Sequence, residues 1–451
     1  MPAFKAGFDR TIITPPHGTS MRGYFFQRLS DGVLDDLELN TLAAGDGERS
    51  IVIIVADLCE IPQARADRYR RAVALRSGIP YEAVFISCTH THTGPDIGEG
   101  EALTPWEMAL EQYMVSSAQR ALEDMSEADL SVARGKVERV SFIRRYRMKD
   151  GYVRTNPGVN NPEIVETIGT PDEEERVLRF RRHGKPEIVL VHFQVHPDVI
   201  GGTRISADYP RFVRETVEHA LEDQVRCVYL NGAAGDLNHV NTSPRPGEGN
   251  GLEAASFDDC LRGYEYARNM GRAIAGEALK VYGKTAGVNA IPVRFAQRTI
   301  RVPSNRPVPT DLPKAERIVE MHKAGRDAEL PYKAMELTTA VAEALRMVRL
   351  KDGPDEFPLN ITAVAMGEVA LLGIPGEPFS AIGRTIKEGS PYSMTLPSGL
   401  SNGDEAYFPM KEAYEEGGYE ARSSSYRSGV GEAIIDAALG LLREMKAGDC
   451  Q

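Results

Sequence analysis

Short apolar runs rich in β-branched residues alternate with segments of helical periodicity along this chain of 451 residues. Strands and helices that alternate in this way form layered folds, in which sheets pack against helices. We therefore predict the α/β class, in the form of a mixed α+β layered architecture. The predicted strands cover residues 50–56, 83–88, 186–195, 226–230, 359–365 and 369–374.

Two of the predicted helices have recognisable N-terminal caps. The segment 104–107 (Thr-Pro-Trp-Glu) has the spacing of a capping box with an early proline, which predicts a helix continuing over 108–125. Either Ser206 or Asp208 can cap a second helix over 210–221, where apolar residues recur at helical spacing.

Residues 303–353 are predicted to form a helical insertion. Proline-rich sequence comes first, and two polar helices follow over 312–323 and 331–349, separated near Gly325. The insertion is either a lid or a packing appendage. No internal repeat or low-complexity linker divides the rest of the chain, so we predict that residues 1–451 form one domain.

The composition excludes several classes of partner. With 42% hydrophobic and 26% charged residues, the chain is typical of a globular protein. Its net charge of −12, with no basic stripe, argues against nucleic acid as a partner. No segment approaches about eighteen consecutive apolar residues, so no membrane span is predicted.

Cysteine spacing and the first residues of the chain indicate a compartment. The five cysteines are widely spaced, with no Cys-x-x-Cys pair: Cys59, Cys88, Cys227, Cys260 and Cys450. This pattern fits a reducing compartment better than a disulfide framework. Because the first residues contain no apolar signal-peptide core, we expect a cytoplasmic protein.

The segment 87–96 (Ser-Cys-Thr-His-Thr-His-Thr-Gly-Pro-Asp) holds the main candidate metal ligands. Its histidines, His90 and His92, follow the predicted strand 83–88. In an extended segment residues i and i+2 point to the same side, so both imidazoles are predicted to face one spot. Imidazole is the commonest protein ligand for zinc and similar metals. The alternative is a pair of polar residues in a surface loop.

Further ligands are needed, because a hydrolytic zinc site usually has three or four protein ligands. His192 and His196 share one face of a predicted strand, and we favour His196 because it ends that strand before Pro197. Glu377 lies in a Pro-Gly-Glu-Pro turn directly after another apolar strand. The glycine-rich turn 231–239 lets backbone approach a site closely, but it is not a P-loop because no Gly-Lys-Ser/Thr follows.

Several motifs in a fixed order resemble those of the neutral/alkaline, non-lysosomal ceramidase family. They are Met21-Arg22-Gly23-Tyr24, Thr89-His90-Thr91-His92-Thr93-Gly94-Pro95, Val195-His196-Pro197, Gly235-Asp236-Leu237-Asn238, Pro375-Gly376-Glu377-Pro378, and Tyr407 followed by Tyr419. The resemblance extends over nearly the whole chain and is to the catalytic region of that family. Each motif alone is weak, but the co-linear set is specific.

The resemblance implies a function and a set of site residues. Members of the family are zinc amidases that cleave the N-acyl bond of ceramide to a fatty acid and sphingosine. By this resemblance, one Zn2+ ion is bound by four residues, which are His90, His196, Glu377 and Tyr407. The resemblance also places three residues around the scissile carbonyl, namely His92, Tyr419 and either Arg144 or Arg145.

The chain departs from the family in two respects. Asn238 stands where ceramidases carry a serine proposed to be catalytic, and no immunoglobulin-like domain is expected after the last predicted helix, 428–446. Asn238 can donate a hydrogen bond to substrate but cannot be a nucleophile, so we expect direct attack by water on an amide. Asp236 is predicted to contact substrate, orient a ligand or cap a turn. A smaller N-acyl compound is as suitable a substrate as ceramide.

Other functions remain open. The same site would serve a zinc esterase or lactonase, and a non-catalytic ligand-binding homologue would keep the same fold. Two other metallohydrolase folds fit less well. The chain lacks the HxHxDH signature of metallo-β-lactamases, and its histidines end too early in the sequence for an amidohydrolase barrel.

Overall fold

A computed structural model describes residues 3–100, 102–245, 262–404 and 406–448. The strands in chain order are β1 (Lys5–Ile12), β2 (Ser20–Met21), β3 (Arg28–Leu29), β4 (Gly32–Val33), β5 (Glu38–Gly45), β6 (Ser50–Ala56), β7 (Val84–Cys88), β8 (Ser126–Lys136), β9 (Phe142–Ile143), β10 (Arg145–Met148), β11 (Val153–Thr155), β12 (Ile164–Thr167), β13 (Glu174–Arg182), β14 (Glu187–Phe193), β15 (Arg204–Ile205), β16 (Val225–Asn231), β17 (Leu237–Asn238), β18 (Ala286–Gly287), β19 (Val293–Pro303), β20 (Glu356–Met366), β21 (Val369–Gly373), β22 (Glu377–Pro378), β23 (Met394–Ser398) and β24 (Tyr407–Phe408). The α-helices are α1 (Gln63–Ser77), α2 (Pro105–Glu123), α3 (Tyr209–Ala220), α4 (Tyr264–Tyr282), α5 (Leu312–Lys323), α6 (Ala334–Leu350), α7 (Ser380–Gly389), α8 (Lys411–Glu416), α9 (Tyr419–Ser423) and α10 (Val430–Ala447).

Two mixed sheets form the body of the fold. Within the described ranges, the larger sheet has nine strands in the order β16-β14-β13-β8-β1-β5-β6-β7, with β18 paired to β8. The smaller sheet has four, in the order β19-β20-β21-β23. Neighbouring strands are mostly antiparallel, but the pairs β6/β7, β14/β16 and β21/β23 are parallel.

Both faces of the central strands are buried, as β6 illustrates. Val52 and Ile54 pack with residues of α1 and α2, whereas Ile51, Ile53 and Val55 face the core between the two sheets. Successive side chains of a strand point to opposite faces, so a strand covered on both sides consists of an almost continuous apolar run. This explains why the sequence run 50–56 lacks a polar alternation.

The elements stack in four layers. The two sheets pack face to face around a core that includes Phe85, Leu190 and Leu371. Helices α1 and α2 cover the outer face of one half of the larger sheet, and α3 and α4 cover the other half. Helices α7 and α10 cover the outer face of the smaller sheet. The predicted mixed α/β layered class is confirmed.

The predicted helix caps are observed. Thr104 accepts a hydrogen bond from the backbone N of Glu107 (3.2 Å), and the Glu107 carboxylate accepts one from the backbone N of Thr104 (2.7 Å), which closes the capping box of α2. Of the two candidate caps for α3, Asp208 is used, because its carboxylate accepts a hydrogen bond from the backbone N of Tyr209.

The segment 303–353 contains the two predicted helices. Helix α5 has the predicted bounds, and α6 begins at Ala334, three residues later than predicted. Between them Gly325 adopts a φ of +68°, a conformation that favours glycine. The two helices pack on each other through a small apolar cluster of their own, which includes Ile318 and Val341.

Three cysteines, Cys59, Cys88 and Cys227, are buried free thiols, and the other two, Cys260 and Cys450, lie outside the described residues. Among the helices of the described ranges, none combines the length and the apolar character that crossing a bilayer requires.

Candidate metal centre

His90 lies two residues beyond the end of β7, where the chain turns sharply. Its φ of +76° is left-handed, so the segment is not extended, and the predicted reason for His90 and His92 facing one spot is wrong. The backbone N of His90 donates to the carbonyl of Leu58 (2.8 Å), and its Nδ1 lies 2.8 Å from the carbonyl of Cys59. Because a carbonyl only accepts, Nδ1 carries a proton and Nε2 is the available ligand atom.

His196 approaches the same point from another loop. Strand β14 ends three residues before His196, so this histidine follows the strand instead of ending it as predicted. Its Nδ1 lies 3.2 Å from the carbonyl of Ala234, and its Nε2 lies 3.0 Å from Nε2 of His90. The alternative candidate, His192, is engaged elsewhere, with its Nε2 2.9 Å from the carbonyl of Pro397.

Glu377 completes a cluster of three. It follows Gly376, whose φ is +147° and where any Cβ would lie 2.7 Å from the ring of Phe408. Its Oε2 lies 3.3 Å from Nε2 of both His90 and His196. That oxygen is buried and accepts no hydrogen bond from the residues that the structure describes. Three ligand atoms therefore lie within 4.8 Å of one another.

This cluster fits a divalent cation. Both histidines direct Nδ1 at carbonyls, so two Nε2 atoms and a carboxylate oxygen face the same space, which favours a positive charge between them. A cavity of about 10 Å³ borders His90, His196 and Glu377 and is otherwise lined largely by glycine-rich turns. That volume corresponds to about one water molecule or ion. Two histidines and a carboxylate with an open fourth position are typical ligands of catalytic zinc.

A second group of potential ligands shares His90 and consists of Cys59, His90 and His92. The Sγ atom of Cys59 lies 3.7 Å from Nδ1 of His90, which is the nitrogen already bonded to the Cys59 carbonyl. Burial raises the pKa of the Cys59 thiol to about 11, away from the thiolate form that binds metals. The group with His196 and Glu377 is therefore the better cation site.

The protonation of the cluster follows from its charges. Burial disfavours the charged forms of His90 and Glu377, but their mutual attraction outweighs it, so the pKa of His90 lies well above its usual range and that of Glu377 lies below. Burial, followed by the positive charges of Arg144 and His90, holds the pKa of His196 well below its usual range. A cation that binds here would displace the proton on His90.

His92 stands beside the cluster, with a polar group behind it. Its Nε2 lies 3.3 Å from Nε2 of His90, and its Nδ1 lies 3.5 Å from Oδ1 of Asp198. Asp198 also accepts a hydrogen bond from the Tyr24 hydroxyl (2.6 Å) and forms an ion pair with Arg262 (2.7 Å). Burial lowers the pKa of His92 to about 3, so its imidazole is neutral.

Two tyrosines flank the cluster. The parallel pairing of β22 with β24 places Tyr407 beside Glu377. Burial and the Glu377 charge raise the pKa of Tyr407 well above its usual range, so it is a neutral phenol. The ring centre of Tyr419 lies 5.4 Å from that of Tyr407, and burial raises the pKa of Tyr419 as well.

Only one of the two candidate arginines reaches these tyrosines. Arg144 donates from Nη2 to the hydroxyl of Tyr407 (3.1 Å) and from Nε to the buried carboxylate of Glu420 (2.7 Å). Arg145 instead donates to Glu416 at 3.1 Å. The geometry therefore favours Arg144 where the sequence left both open.

Asp236 and Asn238 lie outside the cluster and bond to protein groups. The Asp236 carboxylate accepts hydrogen bonds from the backbone N (2.6 Å) and Oγ (3.1 Å) of Ser380, the first residue of α7. The Asn238 Nδ2 donates to Oδ1 of Asn156 (2.9 Å), and its Oδ1 accepts from the backbone N of Val240 (3.0 Å). Asn238 thus uses both its amide nitrogen and its amide oxygen in hydrogen bonds within the protein.

Two carboxylates beside the site residues were not predicted from the sequence. Asp198 stands behind His92, and Glu420 holds Arg144. The sequence contained a sign of both carboxylates, because Asp198 directly follows the His196-Pro197 motif and Glu420 directly follows Tyr419. Metal and catalytic histidines usually bond to a carboxylate or carbonyl behind them, so acidic residues next to candidate ligands were worth testing.

Solved structures share this architecture. One is neutral ceramidase from Pseudomonas aeruginosa, with a TM-score of 0.70 and 18% identity, covering 99% of this chain and 75% of that chain. The chain has the neutral ceramidase fold. A ceramidase complexed with C2 also has a TM-score of 0.70, at 17% identity, covering 99% of this chain and 76% of its own. The family resemblance drawn from the motifs is confirmed at the level of the fold.

No protein-family model matches the chain, and no curated protein matches its sequence. At these identities the neutral ceramidase fold establishes the architecture, whereas function has to be argued from the side chains of the site.

Proposed function

We propose that this protein is a zinc-dependent hydrolase that cleaves an N-acyl amide bond with water as the nucleophile. The observation that carries the proposal is the convergence of His90 Nε2 and His196 Nε2 on the buried Oε2 of Glu377, which lies 3.3 Å from each of them. Hydrolytic zinc sites use such ligand sets. The fold supports an amide substrate, because two solved proteins that share it are ceramidases.

The metal would be held by the two histidines and the carboxylate. When bound, zinc supplies Lewis acidity and lowers the pKa of a coordinated water to about 7. Tyr407 has a hydroxyl that accepts a hydrogen bond from Arg144 at 3.1 Å. We therefore assign Tyr407 a hydrogen-bonding role at the edge of the site and leave direct ligation as the alternative.

His92 is placed to move a proton. Its Nδ1 lies 3.5 Å from the Asp198 carboxylate, and its Nε2 lies on the side of the cluster, 3.3 Å from Nε2 of His90. In our proposal, Nε2 takes a proton from the attacking water and returns it to the nitrogen of the leaving amine. The Asp198 carboxylate stabilises the imidazolium formed in between, as the acidic member of a catalytic triad does.

Tyr419 is the proposed donor to the carbonyl oxygen of the substrate. The raised pKa keeps its hydroxyl protonated, and Arg144 lies 5.7 Å from its ring centre, which adds positive charge beside the developing oxyanion. Donors positioned in this way typically contribute roughly 3–4 kcal/mol to transition-state stabilisation.

Metal analysis combined with a substrate series tests the proposal. The protein would be stripped with a chelator, reloaded with zinc and assayed on N-acyl amides of increasing acyl length and on the matching esters. We expect one zinc per chain and amide hydrolysis that returns with zinc. Hydrolysis of esters alone would favour the esterase or lactonase alternative. Zinc binding without turnover of any substrate would favour a non-catalytic homologue.

A further inference from the structure

A cleft of about 300 Å³ opens beside Tyr419, between the β10–β11 hairpin and the first turn of α6. The hairpin contributes residues 153–156 and the helical insertion contributes residues 333–336. This volume is at the small end of ligand sites. Tyr419 links the cleft to the candidate metal centre, because its ring packs against that of Tyr407, which is paired with Glu377.

All but one of the charged side chains that line the cleft are paired with an opposite charge. These pairs are Arg154–Glu336, Glu163–Lys149 and Arg422–Glu343. The exception is Lys333, the N-cap residue of α6, which makes no side-chain capping bond and no ion pair with any described residue. The cleft therefore has one uncompensated positive charge.

Two further features of the cleft offer unused hydrogen-bond donors. Asn156 is 8% exposed, and its Oδ1 accepts a hydrogen bond from Asn238, but its Nδ2 has no acceptor among the described residues. The first turn of α6, beginning at Ala334, also lines the cleft. The backbone N of Glu336 donates to the carbonyl of Lys333 (3.1 Å), so the free amides of this turn are those of Ala334 and Met335, which have no acceptor among the described residues. The helix dipole favours an anion at such amides.

We propose that this cleft binds an anionic group, a carboxylate or a phosphate, that the substrate carries near its scissile amide. Lys333 supplies the charge and Asn156 supplies a directed donor, which Asn238 positions from behind. The inference rests on the proposed hydrolase function and adds a substrate class to it, namely a small charged N-acyl compound in place of a neutral lipid. It also gives the insertion a role in specificity.

Matched substrates test the charge directly. The zinc-loaded protein would be assayed on N-octanoylglycine against N-octanoylglycinamide, which differ only in the carboxylate. N-octanoyl-phosphoethanolamine against N-octanoylethanolamine tests phosphate in the same way, and N-octylsuccinamic acid against N-octylbutanamide tests a charge on the acyl side. We expect kcat/KM to favour the anion in at least one pair, by about fivefold, and the preference to shrink as salt is added.

Two lysine variants test whether the preference for anionic substrates arises in the cleft. Lys333→Gln should remove most of the preference for the anion, whereas Lys323→Gln, an exposed lysine on α5 of the same insertion, should keep it. Equal rates for charged and neutral substrates in all three pairs, or equal behaviour of the two variants, would overturn the inference and leave the hydrolase proposal standing.

A binding measurement tests the anion site independently of the proposed hydrolysis. Calorimetry of N-octanoylglycine with the zinc-free protein should show an affinity that falls about fivefold in Lys333→Gln. If no amide were hydrolysed but this difference were found, the proposed reaction would be wrong and the anion site correct. If the zinc-free protein bound none of the three anionic compounds, N-octanoylglycine, N-octanoyl-phosphoethanolamine and N-octylsuccinamic acid, the anion site would be wrong.

Discussion

The Nε2 atoms of His90 and His196 lie 3.0 Å apart, although the two residues are 106 positions apart in the sequence. His90 follows a strand at one edge of the larger sheet, and His196 follows a strand near the other edge. Glu377 follows β21 of the smaller sheet. A cation bound between them would therefore join the loops of both sheets, and its binding should stabilise the folded protein.

Replacing Glu377 by glutamine should abolish stoichiometric zinc binding, because the amide has no negative charge. Elemental analysis would measure the zinc content. For the unaltered protein, zinc at about 100 times its Kd should raise the free energy of unfolding by about 2.7 kcal/mol, and this gain should be lost in the variant. His219→Ala, an exposed histidine on α3, is the control and should bind one zinc. A Glu377→Gln protein with full zinc and activity would contradict the site.

Arg144→Lys should lower kcat by about tenfold or more. Lysine keeps a charge near Glu420 but cannot reproduce the guanidinium contacts to Glu420 and Tyr407 together. The matched variant Arg145→Lys changes a neighbour that does not reach Tyr407 and should keep kcat within about twofold. Steady-state kinetics on the best N-acyl substrate would measure kcat for both variants. An equal loss of kcat in the two variants would show that Arg144 is not the arginine that supports the reaction.

Gly235→Ala should weaken zinc binding without unfolding the protein. A Cβ at Gly235 would overlap the carbonyl oxygen of Glu377 and lie 3.0 Å from that of Pro378, so the turn that carries the ligand would have to move. We expect a loss of zinc affinity of about 10–100-fold, measured by competition with a chelator. Gly276→Ala on α4, where a Cβ meets nothing within 4 Å, should bind zinc normally and gain about 0.5–1 kcal/mol in stability.

Lys387 should make stability depend on pH in the alkaline range. Burial, together with the charge of Arg176, lowers its pKa in the folded protein from 10.5 to about 8, even though Asp172 lies 2.8 Å away. The unfolded chain then binds the proton more tightly. This contribution to the free energy of unfolding should therefore rise by about 3 kcal/mol between pH 8 and 10.5, and it should be lost as the pH falls through 8.

Lys387→Met measures that contribution. Denaturant unfolding at several pH values should give a flatter pH dependence in the variant than in the unaltered protein, whatever the absolute stability of the variant. Parallel pH profiles for the two proteins would show that Lys387 has an ordinary pKa in the fold.

Local signals in the sequence were sufficient to predict the elements that position the site. The capping box at Thr104 and the apolar run 50–56 were correct because caps and strand periodicity act over a few residues. The bounds of α5 were correct for the same reason. The motif residues His90, His196 and Glu377 could be selected because each follows an apolar strand, where loops of a layered fold carry chemistry.

The directions of those side chains could not be predicted. His90 faces His196 through a left-handed turn held by the carbonyls of Leu58 and Cys59, and not through an extended strand. The choice of Arg144 over Arg145 depended on Glu420, which lies 276 residues from Arg144. Such contacts join residues with no local relationship, so no window of sequence contains them.

The sequence by itself determined which elements form and which residues can bind a cation, because capping, periodicity and side-chain chemistry are local properties. Only the tertiary structure decided which candidates meet and what supports them. It turned Asn238 toward Asn156 and placed Lys333 of the insertion opposite the β10–β11 hairpin. Those arrangements arise when separate layers pack around shared cores, and packing fixes distances between residues that the sequence leaves far apart.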